Sequence, residues 1–265
     1  MHDDHRSRRD FVLQTAAGLA ILEPLFAGLS GPVEAAEKPA ADPPLPRSLQ
    51  VVCVGAHPDD PESGCGGTLA RYAQGGHRVT AIYLTRGEVG IPGKSHREAA
   101  AIRTAEAETA CKILGVKAVF AGQIDGVTEV NPAQTQTLSA LLAAEKPDVV
   151  LTHWPIDTHP DHQVASILTI RAYLASGRGY SLYFFEVDSG SQTLGFQPTA
   201  YVDITSTREK KKAALFAHRS QDGEQIYRVH HEVMENFRGR ELQVPAAEAF
   251  VSLARDDHAG RMPGL

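Results

Sequence analysis

From residue 49 onward, short apolar runs alternate with longer stretches in which apolar residues recur at helical spacing. Leu49–Val54 is brief, β-branched and bounded by Gly55, the pattern of a strand covered on both faces. Thr68–Ala73 reads as a helix closed by Gly75 and Gly76, and Arg78–Leu84 as the next strand. Ser95 with Glu98 forms a capping box that opens a long alanine-rich helix to Leu114, stopped by Gly115. Val116–Ala121 predicts a third strand, Pro132–Glu145 a helix with proline in its first turn, and Val149–Thr152 a fourth strand. Leu182–Val187 and Ala200–Ile204 predict two more strands. Ser206 with Glu209 suggests a second capping box for a helix to about His218, and a last helix covers about Tyr227 to Phe237. This alternation predicts one α/β domain over residues 48–265, Rossmann-like, with a mostly parallel sheet flanked by helices.

The first residues follow another pattern. Ser7, Arg8, Arg9, Asp10 and Phe11 precede an apolar run from Ala16 to Leu29, with Val33 and Ala35 at small-residue cleavage spacing. Residues 1–35 therefore read as a twin-arginine-type export signal, which implies a periplasmic or extracellular address. The run is interrupted by Glu23 and Pro24, so no stable membrane span is expected. Residues 36–47, with Pro39, Pro43, Pro44 and Pro46, read as a tether.

The whole chain carries 26 Lys/Arg against 32 Asp/Glu, and removal of the leader leaves a mildly acidic domain. Such a domain repels phosphate backbones, and nucleic acid is not an expected partner. The only basic run, Lys210–Lys212, is expected on a solvated helix face. Cys53, Cys65 and Cys111 make no disulfide framework. Cys53 and Cys111 are expected to be buried as small hydrophobes, and Cys65 to fill space beside a turn. A homo-oligomer is left open.

Two polar clusters carry the chemistry. The first strand runs into Ala56-His57-Pro58-Asp59-Asp60-Pro61-Glu62, and the fourth into His153 and then His159-Pro160-Asp161-His162. Both lie at carboxyl ends of strands, where open α/β sheets bind ligands. Carboxylates gathered without balancing Lys/Arg repel one another, and a divalent cation removes that conflict. Two histidines and a carboxylate make a common zinc shell with one open position, which His57, Asp60 and His162 suit. Asp59, turned away from Asp60, then faces the water as general base. Fe2+ or Co2+ also suits these ligands. Arg86 and Glu88, ending the second strand, are candidates to grip sugar hydroxyls, although an Arg/Glu pair in a loop is more often a solvated surface pair. Trp154 is read as either a stacking platform or core cover. His218 is expected to be structural, and His230 and His231 to lie on the surface.

These motifs resemble those of the PIG-L/LmbE de-N-acetylases, whose signature Ala-His-Pro-Asp-Asp followed by Glu stands here at Ala56–Glu62, and whose His-Pro-Asp-His stands at His159–His162. Thr85–Glu88, Arg103, Glu106, Lys212 and His218–Gln221 extend the resemblance over residues 49–221. It implies an LmbE-like fold and zinc-dependent removal of an acetyl group from an N-acetylated sugar or sugar conjugate. It also implies that His57, Asp60 and His162 bind zinc, Asp59 activates water, His159 stands by the oxyanion, and Arg103 holds substrate or departing acetate. Pro61 displaces Glu62 from the simplest form of the motif, so Glu62 receives no chemical role. Other readings stay open: an amidase for larger conjugates, a non-catalytic carbohydrate binder, or a nucleotide module built on Gly64, Gly66 and Gly67. Against the last, the spacing is not the dinucleotide fingerprint and the neighbouring acids oppose a pyrophosphate.

Overall fold

Among the described residues seven strands, numbered in chain order, form one sheet in the order β3-β2-β1-β4-β5-β7-β6. The computed structural model describes residues 47–253 and 262–265, so the expected export signal and the tether up to residue 46 lie outside the described residues. Strands β1 (Gln50–Gly55), β2 (Arg78–Tyr83), β3 (Lys117–Phe120), β4 (Val149–His153) and β5 (Ser181–Phe185) run parallel. The last strand, β7 (Ala247–Ser252), inserts antiparallel between β5 and β6 (Ala200–Asp203). The sheet is therefore mixed, with a parallel body.

Alternate residues of β1 feed two cores. Val51 and Cys53 pack with the helices on one face, and Val52 and Val54 with those on the other. Both layers exclude water from β1, and this explains its unbroken apolar run. Helix α2 (His96–Leu114) starts at the expected capping box, with Ser95 and Glu98 bonding reciprocally, and ends at Gly115 with φ 81°. Helix α3 (Pro132–Glu145) has the expected bounds and is capped by Asn131.

Helix α1 (Asp60–Gln74) begins eight residues before the expected Thr68. Gly64, Cys65, Gly66 and Gly67 read as loop, yet they belong to a helix kinked at Cys65. The glycines are there for close approach: a Cβ at Gly64 would collide with Phe185, and one at Gly67 would meet Ile204 at 2.7 Å. Helix α4 (Pro160–Ala175) was not foreseen, because its first turn is the His-Pro-Asp-His motif itself. It packs Ala165, Leu168 and Ala172 against the sheet at helical spacing.

The second expected capping box does not form. Helix α5 (Arg208–Phe216) starts after Thr207, whose hydroxyl instead donates to the Gly67 carbonyl at 2.8 Å. Within it Lys211 is buried, contrary to the expected solvated face, with Nζ 2.8 Å from Glu248 and 3.8 Å from Glu235. A short helix α6 (Gly223–Ile226) leads through a π-helical turn at Tyr227–His231 into α7 (Glu232–Leu242). No helix of the described residues is long and apolar enough to cross a membrane.

Candidate active site

Strands β1 and β4 are neighbours at the point where the strand order reverses, so the loops leaving their carboxyl ends emerge side by side. One cavity of about 470 Å³ opens there. His57, Asp59, Asp60, His159, His162 and Arg103, which the sequence singles out, all line it.

Asp60 lies between the two imidazoles expected to share a metal with it. Its Oδ2 is 3.2 Å from His57 Nδ1 and its Oδ1 is 3.2 Å from His162 Nε2. The other nitrogens of both rings are held from behind. His57 Nε2 sits 3.0 Å from Asp161 and 3.2 Å from Asp125, and His162 Nδ1 is 3.2 Å from Asp157. Such outer carboxylates fix ring orientation and raise ligand basicity. His159 closes the group, its ring centroid 4.6 Å from that of His57 and 4.7 Å from that of His162.

Sequence reasoning assigned no role to four of these groups. Asp125 follows β3 with no motif around it, Asp157 and Asp161 stand among more conspicuous histidines, and His153 ends β4. His153 is fully buried, stacks on His162 at 4.0 Å and brings Nε2 to 3.3 Å from Asp60. A strand that ends in a histidine immediately before the second cluster was the available signal.

Electrostatics argue for a cation. Burial disfavours the charged form of His57, but Asp60, Asp125 and Asp161 overcome it and hold the imidazole well above its usual pKa. His162 is likewise pushed up to about 9 against burial by Asp60 and Asp157. Burial works against ionisation of Asp60, yet His162, His153 and His57 hold it well below the usual carboxylate range. His153 itself is lowered to about 4, by burial and then by the neighbouring His162 charge. Excess carboxylate is thus balanced only by protons on imidazoles, the role a divalent cation takes over when these nitrogens become ligands. Three overlapping sets offer ligand atoms within 4.8 Å of one another: His57, His159 and His162; Asp60, His153 and His162; and His57, Asp125 and Asp161. The donor set fits a divalent metal.

Asp59 occupies a strained position, a non-glycine residue at φ 103°. Arg103, buried on α2, holds that turn by donating from Nη2 to the Pro58 carbonyl at 2.6 Å and to Asp59 Oδ2 at 3.2 Å. A Cβ at Gly87 or Gly90 would collide with this guanidinium, so the loop after β2 is shaped around it. Burial raises the Asp59 carboxyl above its ordinary pKa, opposed by Arg103 and reinforced by Asp60.

Arg86 does not reach the cavity. Its guanidinium lies over the Phe120 ring at 4.2 Å and donates to Thr104, because the side chain turns toward α2 rather than past the strand end. Glu88 is buried and accepts the Arg86 and Asp125 backbone N–H groups, so the two form neither a sugar clamp nor a solvated pair. Trp154 also points elsewhere, donating to the Leu194 carbonyl and meeting Phe184 and Phe196 edge-on. Glu62, fully buried, accepts from Tyr83 at 2.7 Å and sits 3.3 Å from the buried His218. His231 is buried beside the cavity rather than on the surface, while His230 is half-buried at its mouth. Cys65 packs on Cys53 with sulfurs 3.4 Å apart and does not line the cavity.

Residues 52–173 match the family model PIG-L, GlcNAc-PI de-N-acetylase. The chain is 32% identical to the diacetylchitobiose deacetylase of Thermococcus kodakarensis over 193 residues, covering 67% of this chain and 72% of that protein. The N,N'-diacetylchitobiose deacetylase structure from Pyrococcus horikoshii superposes with a TM-score of 0.70 at 26% identity, covering 79% of this chain and 85% of that one. A 4-carboxy-2-hydroxymuconate hydratase structure from Pseudomonas putida reaches the same TM-score of 0.70 at 23% identity, over 78% of this chain and 98% of that one. That last likeness shows the fold alone, and site chemistry must decide the reaction.

Proposed function

The chain belongs to the PIG-L (LmbE) family of de-N-acetylases, and on that premise we propose that it is a metal-dependent hydrolase removing the acetyl group from an N-acetylated sugar or sugar conjugate. The observation that carries this reading is a half-buried carboxylate base, Asp59, poised beside the His57, Asp60 and His162 cluster in a cavity of substrate size. The diacetylchitobiose deacetylases among its relatives support the sugar.

His57, Asp60 and His162 would hold the metal, with zinc the proposed ion. When bound there, a divalent cation supplies Lewis acidity that polarises the amide carbonyl and acidifies water. Asp59 then takes the proton of the attacking water and returns it to the departing amine. Its raised pKa makes it a stronger base than an exposed aspartate, and Arg103 keeps it oriented. Burial, with the charges of His57 and His162, lowers the pKa of His159 and so favours its neutral ring. Its Nδ1 accepts the Asp161 backbone N–H, which leaves the proton on Nε2 as a hydrogen-bond donor for the developing oxyanion.

The test is release of acetate and free amine, in equal amounts, from a panel of N-acetylated sugars and larger N-acyl conjugates. Loss of release on chelation and its return with Zn2+ supports the proposal. Turnover that survives metal removal, or hydrolysis restricted to non-sugar amides, overturns it. We also propose export through the residue 1–35 signal. A mature N-terminus near residue 36 in the periplasmic fraction supports export, and an intact N-terminus confined to the cytoplasm contradicts it.

A further inference from the structure

The far wall of the cavity comes from residues 187–231, outside the stretch that matches the family model. The π-helical turn at Tyr227–His231 brings the consecutive residues His230 and His231 both onto this wall. A π-turn inserts an extra residue into a helix, and such turns gather at functional sites. Across the mouth, His230 Nδ1 lies 2.9 Å from Asp188 Oδ2, which also accepts from the Ser191 hydroxyl at 2.8 Å. Both contacts fall on Oδ2, leaving Asp188 Oδ1 as an acceptor. The loop that carries it is firmly held: the Asp188 carbonyl accepts the Gln192 and Thr193 N–H groups at 2.9 Å each, and Thr193 donates to Asp157, which orients His162.

The wall that residues 187–231 supply carries a carboxylate and no Lys or Arg. Asp59, Asp60, Asp125 and Asp188 line the cavity, and the single Lys/Arg among its lining residues is Arg103, already engaged by Pro58 and Asp59. At the mouth Gln221 spends its amide N–H groups on the Gly90 carbonyl and the Ser220 hydroxyl. Its amide oxygen joins Asp188 Oδ1 as an acceptor. Sugar hydroxyls are donors that match such a wall. A phosphate or carboxylate against this wall finds no Lys or Arg and faces the Asp188 carboxylate.

Resting on the deacetylase reading, we propose that the Asp188–His230 pair is a specificity-determining subsite that accepts an uncharged, hydroxyl-bearing part of the substrate and rejects an anionic one. The selection is by charge and hydrogen-bond polarity rather than by size.

The test compares the methyl glycoside of N-acetylglucosamine with N-acetylglucosamine 6-phosphate on the zinc-loaded wild type, Asp188→Asn and His230→Gln, each checked for an unchanged melting transition. The wild type is expected to favour the neutral sugar by about tenfold or more in kcat/KM. Asp188→Asn should narrow that ratio, raising KM for the neutral sugar more than it lowers kcat. Equal or better use of the phosphate, or a ratio that neither variant moves, overturns the proposal. Should a variant fail to fold, the wild-type ratio decides. Calorimetric binding of the same two sugars separates this subsite from the reaction itself. Binding of the neutral sugar alone, without turnover, keeps the subsite and removes the deacetylase reading; equal binding of both, or of neither, removes the subsite.

Discussion

Residues 52–173 and residues 181–252 each bury a set of charges behind the same cavity, and they partner them differently. In the second region every buried carboxylate in the network has a Lys or Arg of its own: Glu248 with Lys211 at 2.8 Å, Glu186 with Arg238 at 2.6 Å, Glu235 with Arg208 at 2.6 Å. In the first, Asp60, Asp125, Asp157 and Asp161 face imidazoles, and the one guanidinium pairs with Asp59. A buried carboxylate closed by a permanent cation is finished structure, costly to break and inert. A carboxylate balanced only by a titratable ring can exchange that proton for a metal. The difference in partner separates the chemical half of this molecule from the half that braces it.

The largest effect that sharpens this contrast lies in the chemical half. Asp59→Ala is expected to lower kcat by about 10²–10⁴ while leaving metal content unchanged, as steady-state rates beside elemental analysis would read. An unaltered kcat would remove Asp59 from the base role. In the bracing half, Lys211→Met strands Glu248, which also accepts the Gly67 and Thr68 N–H groups of the kinked α1. It should destabilise the fold by about 3–5 kcal/mol in denaturant titration. Adding Glu248→Gln should recover part of that loss, and strictly additive effects would deny the coupling.

Protons provide a subtler probe. Neighbouring carboxylates hold His57 well above its usual pKa and His162 at about 9, and protons kept on these rings must leave for a metal to bind. Metal affinity should therefore fall as pH drops below about 9, by roughly tenfold per unit for each proton displaced. Calorimetry at pH 7 in buffers of different ionisation enthalpy should detect that release, and its absence would contradict the shared-proton picture. Smallest of all, Arg86→Ala should leave kcat/KM unchanged and cost about 0.5–1 kcal/mol of stability from its lost stacking on Phe120. A raised KM would return Arg86 to the substrate.

The two regions also differ in how much their sequence discloses. Strands β1, β2 and β4 are buried apolar runs, and polar residues begin where each strand leaves the sheet, so fold and cluster are legible together. In the bracing half, Lys211 stands between Lys210 and Lys212 and looks solvated. Its partner Glu248 lies far along the chain on β7, a strand whose own pattern, Ala-Glu-Ala, hides it. Arg86 ends a strand as the site residues do, but position at a strand end does not say which way a long side chain turns. Asp125 and Asp157 carry no motif, and only the topology brings them behind His57 and His162. His231 was misread for a related reason, since the π-turn that carries it inward has no sequence mark.

The most direct test of the central claim titrates metal-stripped wild type and Asp60→Ala with Zn2+ and follows binding and acetate release from an N-acetylated sugar in the same samples. The account predicts that the wild type gains activity in step with bound zinc, while Asp60→Ala keeps its fold but neither binds tightly nor turns over. Full zinc uptake and full turnover by Asp60→Ala would contradict it.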